Sequence, residues 1–159
     1  DSGASGNYFD DRLIPELKHR LVDRVDLSVP RKILTAGGSL LEGTSEGLLQ
    51  GLVTDEYGNS HLVLVDILIV SGIGSNLYSV KAAASKGIAS IFDIENPRLE
   101  GHGITIPLRI GDNNIYSFVL DLSADGYGAT ELAMNAVANA ELWHRRLGHM
   151  NKRTLDFMQ

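Results

Sequence analysis

The residues best suited to chemistry stand first, Asp1-Ser2-Gly3-Ala4-Ser5. A carboxylate, a hydroxyl and a glycine, all small, suit a loop whose backbone must approach a second copy of itself. Two such loops would bring two carboxylates together, and carboxylates about 3 Å apart cannot both ionise, so they share one proton. In such a pair one oxygen activates water and the other protonates a substrate carbonyl. The chain supplies one Asp-Ser-Gly, so this chemistry needs two copies of it. The same tripeptide also makes ordinary surface turns, since each of its residues favours them.

A second group of chemical interest lies at the far end, in Leu142-Trp143-His144-Arg145-Arg146-Leu147-Gly148-His149. Five residues on an unbroken helix separate two imidazoles by about 140° around the axis, so they could not face one metal. Gly148 can end the helix in a left-handed turn and swing His149 back. Tetrahedral zinc would still need two more ligands, usually thiolates, and the chain has no cysteine. A helix carrying two exposed imidazoles is the plainer reading. His61 and His102 stand singly beside strands and read as surface residues.

The elements that must position these groups are mostly strands. A chain of 159 residues is enough for one domain and a short appendage, and it can bury a core without staples. The formal charge of −6 offers no clustered cations for phosphate contacts, which disfavours nucleic acid as a partner. No apolar run approaches the roughly 20 residues of a membrane helix, and no secretory leader opens the chain. Lack of cysteine suits a reducing compartment.

Leu13, Leu17 and Leu21 recur every four residues and predict a short helix, with Pro15 in its first turn. Val25, Leu27 and Val29 alternate with polar residues and predict a strand that Pro30 interrupts, so that it is short or at an edge. Gly37-Gly38 predicts a tight hairpin between Ile33 and Leu41, and the further glycines Gly43 and Gly47 suggest mobility there. Asp55 to Asn59 is a turn by composition. It leads to His61–Val70, an apolar run expected to be buried on both faces, with Asp66 at a strand end or beside an arginine.

Ser71-Gly72-Ile73-Gly74-Ser75 lacks the Gly-Lys-Ser ending of a phosphate loop and reads as a plain connection. Ser75 or Asn76 would cap a helix through Leu77, Val80 and the alanines 82 to 84, stopped by Gly87. Ile88–Ile94, Gly103–Ile110 and Ile115–Leu122 are further strand candidates, the last two joined by a turn at Gly111 to Asn114. Residues 123–130 read as a linker, with a domain boundary near residue 125. An alanine-rich helical pattern follows over residues 131–159.

Taken in order, Asp1-Ser2-Gly3-Ala4-Ser5, Leu34-Thr35-Ala36-Gly37-Gly38-Ser39-Leu40, Ile69-Val70 leading to Asn76-Leu77-Tyr78-Ser79-Val80, and Leu142 to His149 resemble the pol polyprotein of copia-type retrotransposons. The resemblance covers nearly the whole chain, a retropepsin-like aspartic protease followed by the GAG-pre-integrase segment. It implies a mainly β fold: a small closed-barrel protomer over residues 1–122 with one or two short helices, a linker at 123–130, and an incomplete helical pre-integrase segment at 131–159.

The resemblance further implies an aspartic endopeptidase that processes gag-pol as a homodimer, with Asp1 sharing a proton with its twin. Ser2 would hydrogen-bond across the dimer, Gly3 would permit close approach, and Ala4 and Ser5 would line the loop base. Gly37 and Gly38 would belong to a flap over an extended peptide substrate, and Asn76 to Val80 to the helix supporting the acid loop. His144 and His149 resemble the histidine half of a His-His-Cys-Cys zinc site. Zinc would then be bound in a longer parent polyprotein, while the protease needs no cofactor. The location implied is the cytoplasm or a virus-like particle, with the parent element also nuclear.

Retropepsin-like protomers carry an apolar strand before Asp-Ser-Gly, and this stretch opens at Asp1, as a piece of something longer would. An α-ammonium on that residue would favour the ionised carboxylate, so the stretch by itself is expected to be weakly active or inactive. The alternative of a different class is a non-catalytic β module with a helical connector, in a degenerate or domesticated element.

Overall fold

The computed structural model describes residues 4–13, 21–35, 37–111, 114–122 and 129–134. Ten strands and one α-helix occur among them: β1 (Tyr8–Phe9), β2 (Leu21–Leu34), β3 (Leu40–Thr54), β4 (Ser60–Val70), α1 (Val80–Ser85), β5 (Ala89–Ile91), β6 (Arg98–Gly101), β7 (Ile104–Pro107), β8 (Arg109–Ile110), β9 (Tyr116–Asp121) and β10 (Ala129–Met134).

β3 is the spine. It runs antiparallel to β4 along one edge from Gly43 to Thr54, while its other edge is shared by β2 and, at Leu52, by β9. The main sheet follows the order β1-β4-β3-β9-β10, with β2 on β3 and β8 on β9, and β5-β6-β7 form a separate small sheet. The expected mainly β architecture is present. The expected closed barrel is not, because the path ends at β1 and β10, which do not pair.

Alternation explains β3. From Ser45 onward its odd-numbered residues face one side of the sheet, where Ser45, Leu49 and Val53 are buried, while Gln50 and Thr54 remain outside. Gly51 belongs to this buried row, while Gly43, on the other side of a register shift, is buried on the opposite face. A Cβ on Gly51 would stand 2.6 Å from Leu120 Cγ, and one on Gly43 would stand 2.5 Å from Leu68 Cδ2. Gly43 and Gly51 therefore serve close packing.

Turns match their composition. Thr35 N–H donates to Ser39 C=O at 2.9 Å, and Gly38 takes φ of 84° at the β2–β3 turn. At the β3–β4 turn the Asp55 carboxylate accepts from the N–H groups of Tyr57 and Asn59 at 2.9 and 2.8 Å. It also contacts Nε2 of His61, near the start of β4, at 2.8 Å, so that this half-buried imidazole has a partner. His102 is likewise engaged, on the Lys86 carbonyl.

Two clusters form the interior. The larger joins Phe9, Leu49, Ile67, Ile69, Phe118 and Leu120 beneath α1 and the small sheet, with Tyr78 and Phe118 meeting edge to face at 5.1 Å. The smaller joins Ala4, Tyr8, Leu68 and Val70 beneath Leu27, Ile33 and Leu41 of the β2–β3 hairpin. β4 divides the two from Ile67 to Val70, with odd residues in one cluster and even residues in the other. Burial on both faces holds for that end, while Leu62 and Leu64 near its start are exposed.

Several expectations require correction. β2 is not short: it continues through Pro30, which sits in a register irregularity between Asp26 and Arg31, and among the described residues it pairs with β3 alone, the edge position that a proline implies. Leu21 opens that strand and does not end a helix, while residues 14–20 lie outside the described set. Ser79, not Ser75 or Asn76, caps α1. Asp66 pairs with Lys86 and not with an arginine. β6 went unforeseen because Arg98-Leu99-Glu100-Gly101 has a single apolar residue. Residues 129–134, expected to be linker and helix, form β10 against β9, from Ala129 opposite Asp121 to Met134 opposite Tyr116. The rest of the expected helical segment, residues 135–159, lies outside the described residues.

Replacing Gly51 with Ala is expected to destabilise the fold by about 1–3 kcal/mol, because Leu120 is fully buried and cannot yield. Gly37→Ala, whose nearest neighbour would be Thr35 Oγ1 at 3.9 Å, is expected to stay within about 0.5 kcal/mol of the parent. Urea unfolding midpoints of the two variants test the contrast.

Candidate functional site

Asp1, Ser2 and Gly3 precede the described residues, so the site is approached through the segment that follows them, Ala4 to Asp10. Ala4, Asn7, Tyr8 and Asp10 of this segment are each tied to residues 76–79. The Ser79 hydroxyl, fully buried, donates to the Ala4 carbonyl at 2.7 Å and accepts from Ala82 N–H at 3.2 Å as the α1 cap. Asn7 Oδ1 accepts from Ser79 N–H at 2.7 Å, and Asn7 Nδ2 donates to the Asp66 carbonyl at 2.8 Å. Tyr8 and Leu77 exchange both main-chain bonds, at 2.9 and 2.7 Å. Ser5 Oγ and Tyr8 Oη lie 2.6 Å apart.

The next tie is ionic. Asp10 has no exposed surface, yet its carboxylate accepts from Arg12 N–H, Nε and Nη2 at 3.0 to 3.1 Å and from Gly74 N–H at 2.9 Å. Its own N–H donates to Asn76 Oδ1 at 3.1 Å. The Arg12 guanidinium holds this carboxyl well below the usual carboxylate range, and the Gly74, Arg12 and Gly72 amides add to that against the cost of burial. Gly72 and Gly74 adopt φ of 89° and 83°, which turns their amides toward the acid. The loop that read as a plain connection is a cradle for an internal carboxylate.

Asp10 and Arg12 were not foreseen as site residues. Their signal is a carboxylate two residues from a guanidinium in a chain that also carries a Gly-x-Gly loop. The distance between the two segments, 64 residues from Asp10 to Gly74, conceals it.

Of the residues singled out beforehand, Ala4, Asn76, Leu77 and Ser79 are brought together. Gly37 and Gly38 lie exposed at the β2–β3 turn. Ile33 and Leu41, which pair across the stem of that turn, pack against the cluster containing Ala4. The hairpin and the segment following Gly3 therefore rest on one apolar floor. Catalytic candidates Asp1, Ser2 and Gly3, and metal candidates His144 and His149, lie outside the described residues. Among the described residues no three His, Cys, Asp or Glu side chains group to hold a metal. No helix among them is long and apolar enough to cross a membrane.

Ser79→Ala is expected to cost about 1–3 kcal/mol in urea unfolding, since it removes a cap and leaves the buried Ala4 carbonyl without its donor. Asp10 predicts a pH effect of defined sign. Its folded pKa lies below its unfolded value, so the stability it contributes is complete above about pH 4 and is lost as pH falls further. Wild type should therefore exceed Asp10→Asn in stability at neutral pH, and the gap should narrow below about pH 4 in pH-dependent unfolding.

Comparison of the chain with family models, with curated proteins and with solved structures finds no match.

Proposed function

We propose that this chain is one half of an aspartic endopeptidase of a retrotransposon polyprotein, completed when a second copy brings its own Asp1 alongside the first. The observation that carries the reading is the clamp on Ala4. The residue directly after Asp-Ser-Gly is held by the Ser79 hydroxyl and packed beneath the stem of a glycine-tipped hairpin. A dyad needs an acid fixed to within a fraction of an ångström, and rigid elements supply such positioning better than free loops.

The roles are those that the resemblance implies. Asp1 and its twin share a proton, one activating water and the other protonating the scissile carbonyl. Ser2 links the two loops, and Gly3 lets their backbones meet. The β2–β3 hairpin, with Gly37 and Gly38 at its tip, closes over an extended peptide as a flap and excludes water. The peptidase needs no cofactor. His144 and His149 serve a zinc site completed in a longer parent polyprotein, and the enzyme works in the cytoplasm or in a virus-like particle.

The deciding experiment follows self-cleavage and peptide cleavage by a protein extended with the sequence preceding Asp1. Cleavage is expected to require dimer formation and to show a bell-shaped pH profile in the acidic range. Asp1→Asn is expected to lower it by on the order of 10³-fold or more while leaving the unfolding midpoint unchanged. Cleavage that persists in Asp1→Asn, or that never occurs in the extended protein, would instead favour a non-catalytic β module.

A further inference from the structure

The outer edge of β4 and the cavity beside it point to a site that does not depend on Asp1. β3 covers one edge of β4 throughout, while on the opposite edge β1 reaches only Leu68 and Ile69. Leu68 N–H donates to the Asn7 carbonyl, and the Asp66 carbonyl accepts from the Asn7 amide, both across that opposite edge. Even-numbered residues here thus direct their main-chain groups outward. The register with β3 is unbroken from Ile69 back to Ser60, so the same parity holds for Leu62 and Leu64. Among the described residues no strand pairs with them there.

A cavity of about 260 Å³ lies alongside, between the sheet and the layer formed by α1 and the small sheet. Val53, Leu99 and Phe118 are buried and form its floor, while Lys86 and His102 are exposed and mark its mouth. Drug-sized ligands occupy sites of roughly 300–1,000 Å³, so this volume suits one bulky side chain better than a separate small molecule.

We infer that the outer edge of β4 docks an extended, apolar peptide as an added strand, with one large side chain seated in this cavity. Unpaired N–H and C=O groups at strand spacing are matched by another extended backbone, and the alternate side chains of the guest supply selectivity. A residue opposite Val63 shares its face and enters the cavity. Its two neighbours fall beside Leu62 and Leu64 on the other face, side chains that are 61% and 53% exposed. The guest is therefore apolar at three consecutive positions, with an aromatic or leucine in the middle.

The test is a fluorescence-anisotropy titration of the full chain with a labelled peptide Gly-Thr-Leu-Phe-Leu-Thr-Gly. Saturable binding is expected. It should weaken at least tenfold when the central Phe is replaced by Ala, and at least tenfold when the peptide amides that would face β4 are N-methylated. Leu64→Pro removes one outward N–H and no bond to β3, as prolines on sheet edges do. It should weaken binding at least tenfold, as should Ala82→Phe, which fills the cavity. The two peptide controls use the unaltered protein and decide the matter even where a variant misfolds. Absence of binding at millimolar peptide, or binding indifferent to N-methylation, would overturn the proposal. So would a self-associated protein that Leu64→Pro converts to monomer while the peptide has no effect, since the occupant would then be a second copy.

Discussion

A buried polar junction between residues 4–10 and 76–79 is the constraint on which the rest of the structure depends. Asn7 spends its side-chain carbonyl on Ser79 N–H and its amide on the Asp66 carbonyl, so one side chain joins the start of the chain, the edge of β4 and the start of α1. Ser79 answers with its hydroxyl, which caps the helix and holds Ala4. In an interior of low dielectric such bonds are strong, and an unmade one leaves a desolvated group with nothing to bind. The junction is therefore close to all-or-none: each bond presupposes the others.

That junction fixes where the two apolar clusters can form. β1 lies parallel to the end of β4, and both send alternate side chains to opposite sides. Phe9, Ile67 and Ile69 enter the larger cluster, while Tyr8, Leu68 and Val70 enter the smaller. A strand buried on both faces has no polar row, which is why Ile67 to Val70 reads as an unbroken apolar run. The long β2–β3 hairpin closes over the smaller cluster, and its register irregularities supply the bend.

The glycines of β3 and those of the 71–75 loop show two uses of the same missing Cβ. In β3 the absent atom makes room for Leu68 and Leu120 to cross the strand. In the loop it permits the positive φ that aims amides at Asp10. An acid with no exposed surface survives because its charge is met on several sides by Arg12 and by main-chain N–H groups. In the proposed peptidase this ionic tie and the Ser79 clamp stiffen the segment following the acid loop from two directions.

Local chemistry was readable from residue order alone. The turns at Gly37-Gly38 and at Asp55 to Asn59, the strand at Ile115 to Leu122 and the helix through the alanines 82 to 84 all follow from propensity, period and turn residues, which act over a few positions. Pairings between distant positions were not readable. Pro30 looked like a break because its tolerance depends on a bulge opposite β3. Residues 129–134 looked helical because alanine favours helices in isolation, yet β9 offered an edge to pair with. Asp10 gave no sign of burial because its partners at Gly72 and Gly74 lie more than sixty residues away. The sequence by itself determined a strand-rich chain, its turns and the motif order behind the functional proposal. Only the tertiary structure decided that the sheet stays open, which carboxylate is buried and which hydroxyl grips Ala4, because burial and hydrogen-bond partnership are properties of neighbours in space that no local pattern specifies.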